Sequence, residues 1–206
     1  MSILYTIGDD SLYVNATNKC PCKCVFCIRN NGDTVGDSDN MWFEKDPTYE
    51  EIIAAFLSRD LSQYKEVVFC GYGEPLCALD TVLSVCDYLK ENTNLPIRIN
   101  TNGLSDLIHK KRTAPLLKGR VDCVSISLNA PNAKDYQAVT RSAFGEASFD
   151  AMLAFAKDAK QFVPKVMFTV VDVIGEAQIA ASKEVAASVG IPLRVRAYVE
   201  NNYEQE

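Results

Sequence analysis

Histidine is almost missing from this chain. Its 206 residues hold one, His109. It stands beside Lys110, Lys111 and Arg112 on a helical pattern, away from every expected strand end, and reads as a surface residue. A single histidine there leaves no Ser-His-Asp or Cys-His arrangement to build on. An excess of basic charge is missing as well: 21 Lys and Arg face 27 Asp and Glu, a formal charge of −6. Nucleic-acid and anionic-membrane binders need a basic footprint, so no nucleic-acid partner is expected, and residues 110–112 read as a solvated helix face. No apolar run reaches the roughly 18 residues that suggest a membrane span. The first seven residues carry neither a basic nor a long apolar region, so no secretory signal is expected and the location is read as cytoplasmic. No Rossmann glycine fingerprint follows the first strand. Linkers and internal repeats are absent too, and 48% apolar content supports one core, so residues 1–206 read as a single domain.

Cysteine is what the chain has in plenty, eight in all. Without a secretion signal, eight thiols argue for metal chemistry rather than disulfides. Four fall within Cys20-Pro21-Cys22-Lys23-Cys24-Val25-Phe26-Cys27, just after the apolar run 12–16. A buried structural cysteine behaves as an isolated small hydrophobe, so such crowding is not a packing choice. Thiolates on a short loop can converge on zinc or on an iron–sulfur cluster. Structural zinc usually takes two separated pairs of ligands, and here a second pair would have to come from the same loop or from Cys70 or Cys77. Cys20, Cys24 and Cys27 stand in a C-x3-C-x2-C spacing. Three ligands on a four-iron cluster would leave one iron open to a small molecule. Cys22 fits no position of that spacing and reads as a loop thiol. Cys70, Cys77, Cys86 and Cys123 lie in strand or helix patterns and read as core.

Residues 3–7 and 11–16 flank a turn and predict a small N-terminal hairpin. Residues 28–46 form a long polar connection anchored by Trp42 and Phe43. A helix follows to about Arg59, with Asp46 as its cap and Pro47 at its first position. Strands are then expected at 66–70, 97–100, 121–128, 165–171 and 193–199, with helices at 78–92 and 105–117, helical segments up to about 160, and a helix to about 188. Near-continuous apolar strands alternating with amphipathic helices predict an α/β fold with parallel strands, a partial (β/α)6 TIM-type barrel. In such folds the chemistry sits at the C-terminal strand ends. The cysteine loop, Gly71-Tyr72-Gly73-Glu74-Pro75, Asn100-Thr101-Asn102-Gly103, Ser127 to Asn129, Asp172 to Glu176 and Tyr198 to Glu200 all fall there. Arg194 and Arg196 share a strand face by period two, which suggests an anionic substrate.

The motif Cys20-x3-Cys24-Val25-Phe26-Cys27 resembles the signature of the radical S-adenosylmethionine (SAM) superfamily, C-x3-C-x-aromatic-C. The resemblance implies a 4Fe-4S cluster on Cys20, Cys24 and Cys27, with SAM on the fourth iron. Gly71-Tyr72-Gly73-Glu74 resembles the family's glycine–glycine–glutamate motif, though Tyr72 separates the two glycines. It implies a site for the SAM ammonium, with backbone carbonyls and the Glu74 carboxylate as acceptors. Asn100 and Thr101 resemble the family's third-strand position facing SAM. Ser127 and Asn129 would serve its ribose or carboxylate, and Arg141 its carboxylate. Val173 would meet the adenine at a strand end, with Phe26 packed on it from the cysteine loop. Leu12-Tyr13-Val14-Asn15-Ala16-Thr17-Asn18, Cys27-Ile28-Arg29 and Val170-Val171-Asp172-Val173-Ile174 resemble the TatD-associated branch of the family over nearly the full length. That likeness speaks to fold and cofactor, not to substrate.

The expected function is an enzyme, an oxidoreductase or lyase, that cleaves SAM reductively and turns the 5′-deoxyadenosyl radical on an unidentified substrate, a small molecule or peptide. A flavodoxin or ferredoxin would supply the electron. Arg29, Asn30, Arg194, Arg196 and Tyr198 are the residues watched for substrate. No cysteine-rich extension follows the last strand, so no auxiliary cluster is expected. The rival readings are a glycyl-radical-enzyme activase and a non-catalytic iron–sulfur or zinc scaffold.

Overall fold

A computed structural model describes residues 1–8 and 10–198. Asp9, Val199 and Glu200 lie outside the described residues. Strand β1 (Leu4–Tyr5) pairs antiparallel with β2 (Ser11–Val14), the expected hairpin. Strands β3 (Glu66–Phe69), β4 (Ile97–Thr101), β5 (Cys123–Ser127), β6 (Lys165–Val171) and β7 (Leu193–Arg196) follow. From β2 onward each is parallel to the one before it. The strand order in space is the order in sequence, β1 to β7. That winding, always onward in one direction, is the one a barrel needs. The fold is thus the partial TIM-type barrel expected from the alternation of strands and helices, with helices α1 (Tyr49–Leu57), α2 (Leu79–Asn92), α3 (Ser105–His109), α4 (Ala133–Thr140), α5 (Ala147–Ala159) and α6 (Glu176–Ser188) in the connections.

Register assigns the faces, because paired residues of parallel strands point the same way. Val14, Phe69, Ile99, Val124 and Val166 form one row, and Thr101, Ile126 and Phe168 the next. These residues are buried and belong, save Thr101, to the main core with Leu89, Phe155 and their neighbours on the helices. The other face reads Tyr13, Val68, Arg98, Cys123 in one row, then Asn100 with Ser125, Ser127 with Thr169 and Arg194, and Val171 with Arg196. The strands therefore alternate rather than running continuously apolar. The physical reason is that this partial barrel lines a cavity with its concave face instead of packing it, so that face carries polar groups. Cys70 and Cys123, expected in the core, are only partly buried.

Two helix boundaries differ from expectation. Helix α1 is capped by Thr48, not Asp46: Thr48 Oγ1 accepts from the Glu51 amide at 3.3 Å and Glu51 Oε2 from the Thr48 amide at 2.7 Å. The helix expected over 105–117 stops at His109. Lys110 turns left-handed (φ 52°), Thr113 bonds back to Asp106 through both amide and hydroxyl, and Pro115 opens a 3₁₀ turn. A proline cannot donate to a continuing helix and restricts the residue before it, so no single regular helix spans 105–117. His109 is half-buried rather than at the surface, its Nε2 2.7 Å from the Leu76 carbonyl oxygen.

Candidate active site

The cysteine loop leaves β2 and is held from three sides. Helix α4 supplies carbonyls: the Lys23 amide donates to Thr140 O and the Val25 amide to Val139 O, both at 2.9 Å. Asp46 supplies the second hold. It accepts from the Thr17 hydroxyl at 2.9 Å, the Asn18 amide at 3.2 Å and the Lys19 ammonium at 2.8 Å. The carboxylate expected to cap α1 instead latches the three residues before Cys20. Arg29 is the third, donating to Asn18 O and Cys22 O while stacking on Trp42 with 5.8 Å from its guanidinium carbon to the ring centroid. Watched as a substrate residue, it straps the loop. Asn30 likewise donates to the Cys24 and Val25 carbonyls.

The glycine loop lies directly beneath. A Cβ on Gly71 would come within 2.2 Å of Asn15 Oδ1, and one on Gly73 within 2.2 Å of the Thr17 carbonyl. Both glycines are needed for close backbone approach, but here the partner is the chain's own segment entering the cysteine loop. The Glu74 amide completes the seam by donating to Lys19 O at 2.8 Å. Tyr72, between the glycines, turns into a second small core with Tyr5, Val35 and Met41, where Trp42 packs edge-on at 4.9 Å. That cluster anchors the 28–46 connection as expected of Trp42.

Glu74 is buried and fully engaged. One oxygen accepts from the Thr101 hydroxyl at 2.6 Å and the Leu76 amide at 3.1 Å, the other from the Asn102 amide at 2.7 Å. Burial pushes its carboxyl up to about 7, against the pull of those donors. The thiols show a different balance. Cys22 is buried and its S–H is shared with both neighbours, which holds its own proton firmly in place. That hydrogen bond is the main reason Cys20 is drawn down to about 6, and Cys24 is lowered by the same donor. The Arg29 charge helps both. Cys27 is raised by burial. All four are free thiols. Among the described residues no three His, Cys, Asp or Glu are arranged to hold a single metal ion.

A cavity of about 530 Å³ joins these loops. Cys20, Cys24 and Cys27 line it together with Phe26, Gly71, Tyr72, Gly73 and Glu74. Across the concave face it is lined by Asn100, Thr101, Ser127 and Asn129. Two expected residues stand apart. Val173 is 49% exposed on the turn after β6, where Val171 lines the cavity instead. Arg141 is an exposed left-handed residue (φ 48°) ending α4, and it borders a separate hollow of about 510 Å³ with Lys23, Arg29, Cys24 and Cys27. Sequence reasoning passed over three residues. Asn102 Nδ2 lies 3.8 Å from Cys22 Sγ and 4.0 Å from Cys20 Sγ. Its Asn-Gly pair read as a turn, which it also is. Tyr136 is fully buried on α4 and lines the cavity with its hydroxyl unpartnered among the described residues, as is Asn31 Nδ2. Neither had a signal, since an aromatic at helical spacing reads as core and an asparagine in a polar loop as solvated.

Thiols and a glycine seam at the C-terminal rim of a partial barrel define a frame for soft-metal chemistry at strand ends. The family model of the Radical SAM superfamily matches residues 14–182, and the chain belongs to that superfamily, whose members are enzymes that use a 4Fe-4S cluster and SAM. A GTP 3′,8-cyclase of Clostridium botulinum is 29% identical over 132 residues, 63% of this chain; the match spans 38% of the cyclase's length. Two solved structures share the fold. SuiB of Streptococcus suis, bound to its precursor peptide SuiA, has a TM-score of 0.64 at 21% identity, over 90% of this chain and 38% of SuiB. A radical SAM methyltransferase from Sphaerobacter thermophilus has a TM-score of 0.64 at 17% identity, over 94% of this chain and 68% of its own.

Proposed function

We propose that this chain is a radical SAM enzyme in which Cys20, Cys24 and Cys27 hold the 4Fe-4S cluster and the adjoining cavity holds SAM and a substrate. The observation that carries the reading is the cavity itself, which joins the three thiols to the glycine seam and to the polar concave face. The donor set fits the cluster: free thiols on one loop, two of them drawn toward the thiolate form that binds iron. When bound, the cluster and SAM supply reductive cleavage of SAM and a radical that takes a hydrogen atom from the substrate.

The chain's own residues position and shield. The carbonyls beside Gly71 and Gly73 offer acceptors for the SAM ammonium. Glu74 shapes that corner, tying Thr101 and Asn102 to the seam. Phe26 offers a face for the adenine, and Ser127 and Asn129 offer groups for the ribose or carboxylate. Tyr136 and Asn31 offer unpartnered donors to whatever occupies the cavity. Cys22 keeps its proton and stays off the metal. A site of this kind must keep water and oxygen from the radical, which the strapped 28–46 connection favours.

The likeness to the cyclase supports a small-molecule substrate, and the runs at 12–18, 27–29 and 170–174 support a place near the TatD-associated branch. Reductant access fits the hollow where Lys23, Arg29 and Arg141 border Cys24 and Cys27, a local cationic surface suited to an acidic flavodoxin or ferredoxin.

Anaerobic reconstitution with iron and sulfide, followed by dithionite and SAM, is expected to yield 5′-deoxyadenosine. Cys24→Ala is expected to lose the cluster colour and the product. Retention of both, or uptake of one zinc without sulfide, would favour a metal-binding scaffold instead.

A further inference from the structure

We propose that Arg194 and Arg196 anchor an oxyanion, a phosphate or carboxylate group carried by a small-molecule substrate. The inference rests on the radical SAM reading above and names the substrate class for that site. Both residues lie on β7 two positions apart. Their pairing with Thr169 and Val171 puts them on the concave face, where both line the main cavity at its exposed margin.

The cavity holds a third guanidinium, and it is already spent. Arg98 donates to both oxygens of Glu66, at 2.5 and 3.1 Å, and to Asn100 Oδ1 at 3.0 Å. Glu66 also accepts from Ser11 at 2.9 Å. Among the described residues the side chains of Arg194 and Arg196 make neither an ion pair nor a hydrogen bond, and the backbone of β7 is paired with β6. Three acceptors of the same lining are already taken: Glu74 by three donors, Glu66 by Arg98 and Ser11, and Asn100 Oδ1 by Arg98. Asn31 Nδ2 and the Tyr136 hydroxyl line the same cavity without a partner among the described residues, and the two guanidiniums add positive charge to its rim. A cavity with positive charge and open donors is complementary to an acceptor-rich anion, and the planar forks of paired arginines suit the several oxygens of a phosphate or carboxylate.

SAM does not account for the surplus. Its sulfonium and ammonium outweigh its one carboxylate, so SAM itself brings net positive charge. Place in the fold points the same way. Strand β2 delivers the thiols near one end of the strand order and β7 stands at the other. An anion held at β7 would fix the substrate from a wall of the cavity other than the one that carries the thiols.

The test uses the reconstituted protein under anaerobic conditions with SAM present. Inorganic pyrophosphate and citrate are titrated calorimetrically into the wild type, the Arg194→Gln/Arg196→Gln variant and the corresponding double lysine variant. The expected result is binding of at least one anion to wild type, about tenfold or greater weakening in the glutamine variant, and a smaller loss in the lysine variant. Preference for pyrophosphate assigns a phosphorylated substrate, and preference for citrate a carboxylate. SAM affinity is expected to stay within about twofold across the three proteins. The proposal is overturned if neither anion binds wild type, if the glutamine variant binds as tightly as wild type, or if SAM affinity falls in step with anion affinity, which would assign the pair to the SAM carboxylate. Circular dichroism melts check that the variants fold. Iron content and 5′-deoxyadenosine formation by wild type report separately on the radical SAM reading: anion binding without either leaves the anchor standing and removes that reading.

Discussion

Glu74 sits where three donors meet and water does not, and the two influences oppose each other. Its carboxyl is raised to about 7 in the fold, against about 4.3 in an unfolded chain. A raised acid holds its proton in the folded state over that interval, so its contribution is complete below about pH 4 and is lost as pH rises through 7. Chemical denaturation of the metal-free protein is therefore expected to show stability falling between about pH 4 and 7, by up to about 1.4 kcal/mol per pH unit from this group. Glu74→Gln should flatten that slope, and an unchanged slope would show that the carboxyl titrates elsewhere. Cys22 permits a second test at this scale. Its S–H supports the thiolates of Cys20 and Cys24. In metal-free protein, Cys22→Ala should move the alkylation midpoint of Cys20 up from about 6 toward the ordinary thiol value of about 8.5. The same variant should still take up four irons, and loss of the cluster would place Cys22 among its ligands.

The element that sets the site is a seam between two loops, and the glycines are its thinnest points. Gly73→Ala would drive a methyl into the Thr17 and Lys19 carbonyls. It should cost about 2 kcal/mol or more in thermal melts, and it should lower iron uptake, because the segment displaced leads directly to Cys20. Asp46→Ala would release the latch on residues 17–19 and is expected to cost about 1–3 kcal/mol, with a poorer reconstitution yield than wild type. Much of this arrangement was legible in the sequence: the cysteine spacing, the strand before it, the glycine loop and the alternation that makes a barrel. The latch was not, because an aspartate before Pro47 looks like a helix cap and only the returning chain brings Thr17 to it. Period two on 125–129 and 194–196 was readable, but the polarity of a whole concave face appears only once register stacks Asn100 on Ser125 and Ser127 on Thr169. Tyr136 escaped for the opposite reason: its spacing matches its burial, and nothing local reveals a hydroxyl without a partner. Val173 shows the limit of strand ends as guides, since the turn after β6 leaves Val171, two residues earlier, facing the cavity.

At the scale of the molecule, charge is unevenly placed. A chain of net charge −6 gathers Lys23, Arg29 and Arg141 around one hollow with Cys24 and Cys27, two of the thiols proposed to hold the cluster. Opposite charge speeds encounter, and salt weakens that effect. Lys23→Glu is expected to slow SAM cleavage driven by reduced flavodoxin by about threefold to tenfold at low ionic strength, with the difference fading in high salt. Equal rates at low salt would place the docking surface elsewhere. The strand order carries a further consequence. Because every strand pairs with its predecessor, each βα unit can dock as it leaves the ribosome, onto a surface already formed, without waiting for a distant partner. The glycine seam is complete once β4 has been added and the thiol loop once α4 has supplied its carbonyls, whereas β7 arrives last. A chain caught partway through synthesis would thus own the thiols proposed to hold the cluster before it owned the wall that bears Arg194 and Arg196.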